Sequence, residues 1–186
     1  MKTNKVFVYP TETSYAIGCD ARDVAAVEKI FKIKGRDTRK TLTLIAANQK
    51  MADKFIVATQ KEIKRIMTTY WPGPLTLVAP ASAYARKNLA PKIIAVDGTI
   101  AIRIPDHTIA REISERLGAP IVATSANKAG EPACYSAAAV RRAFKNNEIK
   151  PDIIIDEGRL PKCAASTIAQ YKNGAWKILR VGPIQL

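Results

Sequence analysis

Apolar residues along this chain fall into short clusters with two different periods. Val6 to Tyr9 is an apolar run of strand length, and Asp23 to Ile33 then carries Val24, Val27, Ile30 and Phe31 at helical spacing. The opening order is therefore strand, loop, helix. Leu42 to Ala46 predicts another strand, and Gln60 to Tyr70 places Ile63, Ile66 and Met67 on one helical face. Trp71-Pro72-Gly73-Pro74 must end that helix, because proline cannot continue it and Pro-Gly favours a turn. Leu75 to Val78 resumes as a strand.

Ser82 to Lys92 is polar and basic without a clear period, which predicts a surface loop too short to separate two cores. Thr99 to Ile104 alternates like a strand. His107 to Leu117 repeats apolar residues at Ile109, Ile113 and Leu117, Gly118 stops it, and Pro120 to Thr124 follows as a short buried strand. A further helix begins at Ser136. Asp152 to Ile155, Ser166 to Ala169 and Trp176 to Val181 are rich in strand formers, so residues 1–186 predict one α/β domain, a mixed sheet covered by helices.

Composition narrows the class. With 47% hydrophobic residues in 186, a single core is affordable without disulfides or a structural metal. No apolar run approaches the roughly 20 residues needed to span a bilayer, and Met1 to Tyr9 lacks a leader's apolar stretch. A cytoplasmic protein without membrane contact is expected. Cys19, Cys134 and Cys163 form no CxxC pair, which predicts idle or buried thiols rather than a disulfide framework or a zinc site. The single histidine, His107, sits at a helix start, so neither a histidine triad nor a multi-histidine metal site is expected. A net charge of +14 points to polyanionic partners, nucleotides or RNA.

Several segments could carry chemistry. Tyr9-Pro10-Thr11-Glu12-Thr13-Ser14-Tyr15-Ala16-Ile17-Gly18 sets hydroxyls and a carboxylate directly after a strand, at the edge where open α/β sheets bind ligands. The same residues also suit a plain turn. In Lys34-Gly35-Arg36 an extended backbone would turn both cations to one phosphate, with Lys40 able to join them; a solvated basic surface is the alternative. Thr124-Ser125-Ala126-Asn127 ends a strand with donors and acceptors fit for a ribose, phosphate or carboxylate, or for ordinary loop hydrogen bonds. Arg103 lies between Ile102 and Ile104, so it faces away from them and needs an anion or a rim position.

Taken in order, Pro10-Thr11-Glu12-Thr13, Lys34-Gly35-Arg36, Trp71-Pro72-Gly73-Pro74-Leu75-Thr76, Arg103-Ile104-Pro105, Thr124-Ser125-Ala126-Asn127, Ser166-Thr167-Ile168 and Arg180-Val181-Gly182 resemble the YrdC-like threonylcarbamoyl-AMP synthase family in its short form. The resemblance implies a twisted mixed sheet enclosing a basic cavity. It also implies a reaction in which L-threonine, bicarbonate and ATP give threonylcarbamoyl-AMP and pyrophosphate, toward threonylcarbamoyladenosine in tRNA. By that likeness Lys34 and Arg36 are the catalytic pair, and Arg36, Lys40, Thr99, Ser125, Asn127 and Arg180 meet ATP. Thr13, Arg103, Ala123 and Ser166 meet threonine. Magnesium would accompany ATP, and tRNA and other proteins of the modification pathway are candidate partners.

Some positions depart from the family's pattern. Thr41 replaces a common proline, Ile45 a histidine that contacts threonine in some members, Ala129 a serine, and Ala133 an ATP-contacting serine. Ser14 and Ala16 stand for the usual valine and glycine, and no helix precedes the first strand, which could bare a core face or a dimer surface. Two other functions remain open: an RNA-binding paralogue without synthase activity, and a carbamoyl-transfer or nucleotide-hydrolysing relative. Only 6% of residues are Phe, Trp or Tyr, which leaves little for base stacking and disfavours the first.

Overall fold

Backbone register, more than any single motif, decides what this protein exposes. A computed structural model describes residues 4–37 and 41–186. Its strands are β1 Phe7–Pro10, β2 Tyr15–Gly18, β3 Thr43–Ile45, β4 Leu75–Pro80, β5 Thr99–Arg103, β6 Ile121–Ser125, β7 Ile153–Ile154, β8 Thr167–Lys172 and β9 Ala175–Arg180. They form one mixed sheet in the order β7-β1-β2-β6-β3-β5-β4-β8-β9. The pairs β1 with β7, β3 with β5 and β4 with β8 are parallel, and the rest are antiparallel.

Strand alternation splits the sheet into two unlike faces. Val8, Ile17, Leu44, Leu77, Ile102 and Val122 point to one side, where they join the main core. Helices supply the rest of that core: α1 Val24–Lys34, α2 Gln49–Phe55, α3 Lys61–Tyr70, α4 Ala83–Asn88 and α6 Ala137–Ala143 contribute Val27, Ile30, Ala52, Phe55, Ile66, Ala85 and Val140. The opposite face holds a smaller cluster of Phe7, Tyr9, Ala16, Ile45, Ile121 and Ala123 under α5 Thr108–Leu117, whose Ala110 packs into it. The remainder of this second face stays open.

Local signals explain the helix limits. Asp23, Asn48, Ser82 and Ser136 each accept a backbone N–H of the first turn, which satisfies one of the donors a helix leaves unpaired. Helix α1 stops at Gly35, whose φ of 57° is left-handed and costs a side-chain-bearing residue strain. Trp71 ends α3 and donates its indole N–H to the Leu75 carbonyl at 2.7 Å.

Three expectations need correcting. The 82–92 segment is not a loop: Ser82 caps α4, and Pro91–Ile93 adds a turn of 3₁₀ helix. Its periodicity is hidden because only Ala85 of this six-residue helix is buried. The Tyr9 to Gly18 stretch is not all turn, since Tyr9 and Pro10 end β1 and Tyr15–Gly18 pairs with both β1 and β6. Nor does β1 lie bare, because all four of its residues are buried.

Gly18 and Tyr9 illustrate how tightly the second face is built. A Cβ at Gly18 would lie 1.9 Å from the Val122 carbonyl oxygen and 2.9 Å from the Tyr9 ring, so no larger residue fits. The Tyr9 hydroxyl donates to that same Val122 carbonyl at 2.9 Å, and burial pushes the phenol above its ordinary range. Tyr9→Phe is expected to cost about 1 kcal/mol, read as a lower denaturant midpoint at unchanged slope. An unchanged midpoint would show that this hydrogen bond adds nothing to stability.

Candidate active site

The open part of the second face is a cavity of about 690 Å³. Sheet register brings its floor together: Ala16, Thr43, Val78, Ala101, Ala123 and Ile168 come from six strands, all on one side. The three alanines among them, Ala16, Ala101 and Ala123, leave part of the space that a helix fills elsewhere on the face. Three guanidinium groups reach the cavity, Arg36 just past α1, Arg103 at the end of β5 and Arg180 at the end of β9. Glu131 is the carboxylate among the lining residues.

Arg103 projects to the cavity while Ile102 and Ile104 lie in the main core, as strand alternation predicts. The residue is 5% exposed, and its Nη1 donates to Glu12 Oε1 in an ion pair. Glu12 Oε2 is buried with no partner. Arg180 donates through Nε to the Ser166 carbonyl at 2.9 Å and through Nη2 to the Ser166 hydroxyl at 2.8 Å. That hydroxyl also meets Thr76 Oγ1 at 2.8 Å, which locks Ser166 between two elements. Partial burial and the nearby Arg103 both lower the Arg180 pKa. Two cations held this close call for a bound anion between them.

The first loop is ordered by its own hydroxyls. Thr11 Oγ1 donates to the Ser14 carbonyl at 2.7 Å, receives the Ser14 N–H at 3.2 Å, and lies 3.0 Å from Thr13 Oγ1. Thr11, Thr13 and Ser14 thereby form one cavity wall. Ser125 and Asn127 line the cavity with Tyr135 and Ala133, beside β2, where Ala16 pairs with Ser125.

Lys34 is placed otherwise than the extended Lys-x-Arg reading expects. Its backbone closes α1 and Gly35 turns left-handed, so Lys34 and Arg36 do not project side by side. Lys34 is 3% exposed, and its ammonium donates to the Ser125 carbonyl at 2.5 Å, the Asn127 carbonyl at 2.7 Å and Asn127 Oδ1 at 3.2 Å. It fastens the Thr124 to Asn127 wall from behind and is absent from the cavity lining. Burial, with a smaller contribution from Arg36, depresses its pKa to about 8. Arg36 does line the cavity, donating to the Thr41 carbonyl at 3.0 Å, and its Nε is buried without a partner.

Other expected site residues divide. Thr13, Arg36, Arg103, Ala123, Ser125, Asn127, Ser166 and Arg180 share the one cavity. Thr99 does not reach it, since its hydroxyl is 2.7 Å from Asp97 Oδ1 at the far end of β5. Lys40 lies outside the described residues. His107 is indeed the residue before α5, yet its side chain makes no cap and instead meets Glu157 Oε2 at 3.1 Å. Among the thiols, Cys19 and Cys134 are buried but Cys163 is exposed at the cavity wall. Sequence reasoning noted the Glu12 carboxylate but not its pairing with Arg103, because a partner 91 residues away gives no local signal.

Fold and cavity together define an open mixed-sheet α/β protein with an arginine-bearing cavity on one sheet face. The chain belongs to the Sua5/YciO/YrdC family, whose model, described as telomere recombination, matches residues 1–182. It is 36% identical over 180 residues to threonylcarbamoyl-AMP synthase of Thiobacillus denitrificans, covering 97% of this chain and 90% of that one. The Sua5 of P. abyssi, solved in complex with L-threonine, superimposes with a TM-score of 0.86 at 33% identity. That match covers 96% of this chain and 51% of the other, so the present chain spans about half of it. YciO of E. coli, at 24% identity and a TM-score of 0.81, covering 96% of this chain and 84% of its own, shares the fold. Relatives carrying the synthase name at this identity support an enzyme. No helix among the described residues is long and apolar enough to cross a membrane.

Proposed function

We propose that this protein is an L-threonylcarbamoyladenylate synthase, a nucleotidyltransferase that joins L-threonine, bicarbonate and ATP into threonylcarbamoyl-AMP with release of pyrophosphate. The observation that carries the proposal is the convergence of Arg36, Arg103 and Arg180 on one cavity from three distant segments. The product would serve threonylcarbamoyladenosine formation in tRNA, within the cytoplasm.

In this reading Arg103 takes the threonine carboxylate, and Thr13, Ala123 and Ser166 shape the surrounding subsite. Arg36, Ser125, Asn127 and Arg180 face ATP, with Lys40 as a further candidate. The amine first adds to bicarbonate, losing water, and gives a carbamate. A carbamate oxygen then attacks the α-phosphate and pyrophosphate leaves. A carboxylate-type oxygen is already ionised, so the protein must mainly align reactants and neutralise developing charge. Fixed guanidinium groups in a partly dry cavity do both at little reorganisation cost.

Magnesium fits as a companion of the nucleotide. Glu131 is the single lining carboxylate, and no cluster of three or more ligating side chains occurs among the described residues, so ATP phosphates would supply the ion's ligands.

Mass spectrometry of the products formed from ATP, bicarbonate and individual amino acids tests the proposal. Threonylcarbamoyl-AMP is expected from threonine, with pyrophosphate falling to background in buffer scrubbed of carbon dioxide. Equal pyrophosphate without bicarbonate would mean ordinary amino-acid adenylation and would end this reading.

A further inference from the structure

Thr76 ends the Trp71 to Thr76 segment, and its hydroxyl is tied to the side chain that carries Arg180. Thr76 of β4 pairs with Ile168 of β8, and Ile168 pairs in turn with Arg180 of β9, so the three form one row across the sheet. Ile168 and Arg180 line the cavity, which puts Thr76 on the same face. Thr76 itself is 0% exposed, and among the described residues its Oγ1 meets only Ser166 Oγ, at 2.8 Å. A buried hydroxyl proton needs an acceptor, so Thr76 donates and Ser166 Oγ accepts. The same oxygen accepts from Arg180 Nη2 at 2.8 Å, while the Ser166 carbonyl accepts from Nε at 2.9 Å.

Arg180 needs such a hold. β9 is the last strand of the sheet and is exposed at every residue except the half-buried Trp176. A long side chain there gains rotamer freedom by swinging into water, and repulsion from the nearby Arg103 favours the same movement. The two donations to Ser166 oppose it. Backbone packing secures the carbonyl that takes the first: the Thr167 N–H donates to the Pro74 carbonyl at 2.9 Å, and a Cβ at Gly182 would lie 2.5 Å from the Ala165 carbonyl oxygen and 2.7 Å from the Ser166 carbonyl carbon. The hydroxyl that takes the second has no such support from the backbone, because a serine χ1 has three staggered positions. Its contact with Thr76 selects one of them.

Resting on the synthase reading, in which Arg180 faces ATP, we propose that Thr76 is a positioning residue for the nucleotide site, acting through the Ser166 hydroxyl to hold the Arg180 guanidinium at the cavity. Thr76 touches no ligand in this role. It fixes the acceptor on which Arg180 rests, so that the cation is already in place when a phosphate arrives and less side-chain ordering has to accompany binding.

Calorimetric titration of ATP into wild type, Thr76→Val, Thr76→Ser, Ser166→Ala and the double variant Thr76→Val/Ser166→Ala tests the relay, with melting temperatures to establish that each is folded. Valine keeps the shape of threonine without the hydroxyl, and Thr76→Val is expected to bind ATP about tenfold more weakly. Thr76→Ser keeps the hydroxyl and is expected to stay within about twofold of wild type. Ser166→Ala is expected to weaken ATP binding on its own, and adding Thr76→Val to it to change nothing further, because a relay already broken at Ser166 cannot be broken again. Equal ATP affinity in wild type and folded Thr76→Val overturns the proposal, as does an equal loss from Thr76→Val with and without the Ser166 hydroxyl, which a merely structural role would give. Where Thr76→Val does not fold, a tenfold loss in folded Thr76→Ser or unchanged affinity in Ser166→Ala overturns it instead. A wild type that does not bind ATP at all overturns the synthase reading itself, and this proposal with it.

Discussion

Replacing Arg103 with lysine is expected to weaken L-threonine binding by roughly ten- to a hundredfold while leaving ATP binding near the wild-type value. Lysine keeps one positive charge but loses the planar fork, so it can offer Glu12 and a substrate carboxylate only a shared ammonium. In the proposed reading Arg103 makes two parallel donations to the threonine carboxylate, and the loss of that grip corresponds to about 1.5–3 kcal/mol. Because Arg103 is 5% exposed and paired with Glu12, an alanine there would strand a carboxylate in a poorly hydrated wall and confuse binding with unfolding. Lysine avoids that confusion. Threonine titration with the melting temperature followed in parallel decides the matter, and equal threonine affinity in folded Arg103→Lys would remove Arg103 from the substrate subsite.

How much of this site could be read from sequence depends on whether the signal is local. Strand period placed Arg103 opposite Ile102 and Ile104 correctly, because alternation operates over neighbouring residues. It could not show Glu12 against Arg103, since that pairing depends on β1 and β5 lying in a common sheet with three strands between them. Helices α1, α3 and α5 were legible from their apolar spacing and stops. Helix α4 was not, as a six-residue helix with one buried side chain has no period to detect. β2 was hidden for another reason: buried on both faces, it shows no alternation, and it directly follows hydroxyl-rich residues that read as a turn.

The Lys34 misreading has a physical source of its own. A Lys-x-Arg pair suggests two cations on one side only if the backbone is extended, and Gly35 breaks that premise by ending a helix in the left-handed region. Yet glycine between the two was visible in the sequence. Charge alone favoured a surface position because lysine is rarely buried unless paired. Here three oxygen acceptors satisfy the ammonium, and they come from the end of β6 and the loop after it, 91 to 93 residues away.

That placement leads to the second large effect, for Lys34→Met. Methionine fills similar volume but donates nothing, so the Ser125 and Asn127 carbonyls lose a buried donor, at a cost of about 2–4 kcal/mol in stability. Ser125 and Asn127 both line the cavity, and a shift of about 1 Å in such a wall costs on the order of a hundredfold in turnover. A phosphate-contacting Lys34 would instead change mainly ATP affinity, with little change in melting temperature. The pH dependence distinguishes the two further. With its folded pKa depressed to about 8, Lys34 gives up its proton in the native state while the unfolded chain still holds it. Between about pH 8 and the ordinary lysine range the unfolded state therefore binds more protons, and the Lys34 contribution to stability rises with pH. Activity moves the other way, because a neutral amine has two hydrogens for three acceptors and one wall contact is lost. Turnover at saturating threonine and ATP is thus expected to fall above about pH 8 as resistance to denaturant gains, and both trends should vanish in Lys34→Met. A wild-type turnover that stays flat well above pH 8 would show that the wall does not depend on the charged form.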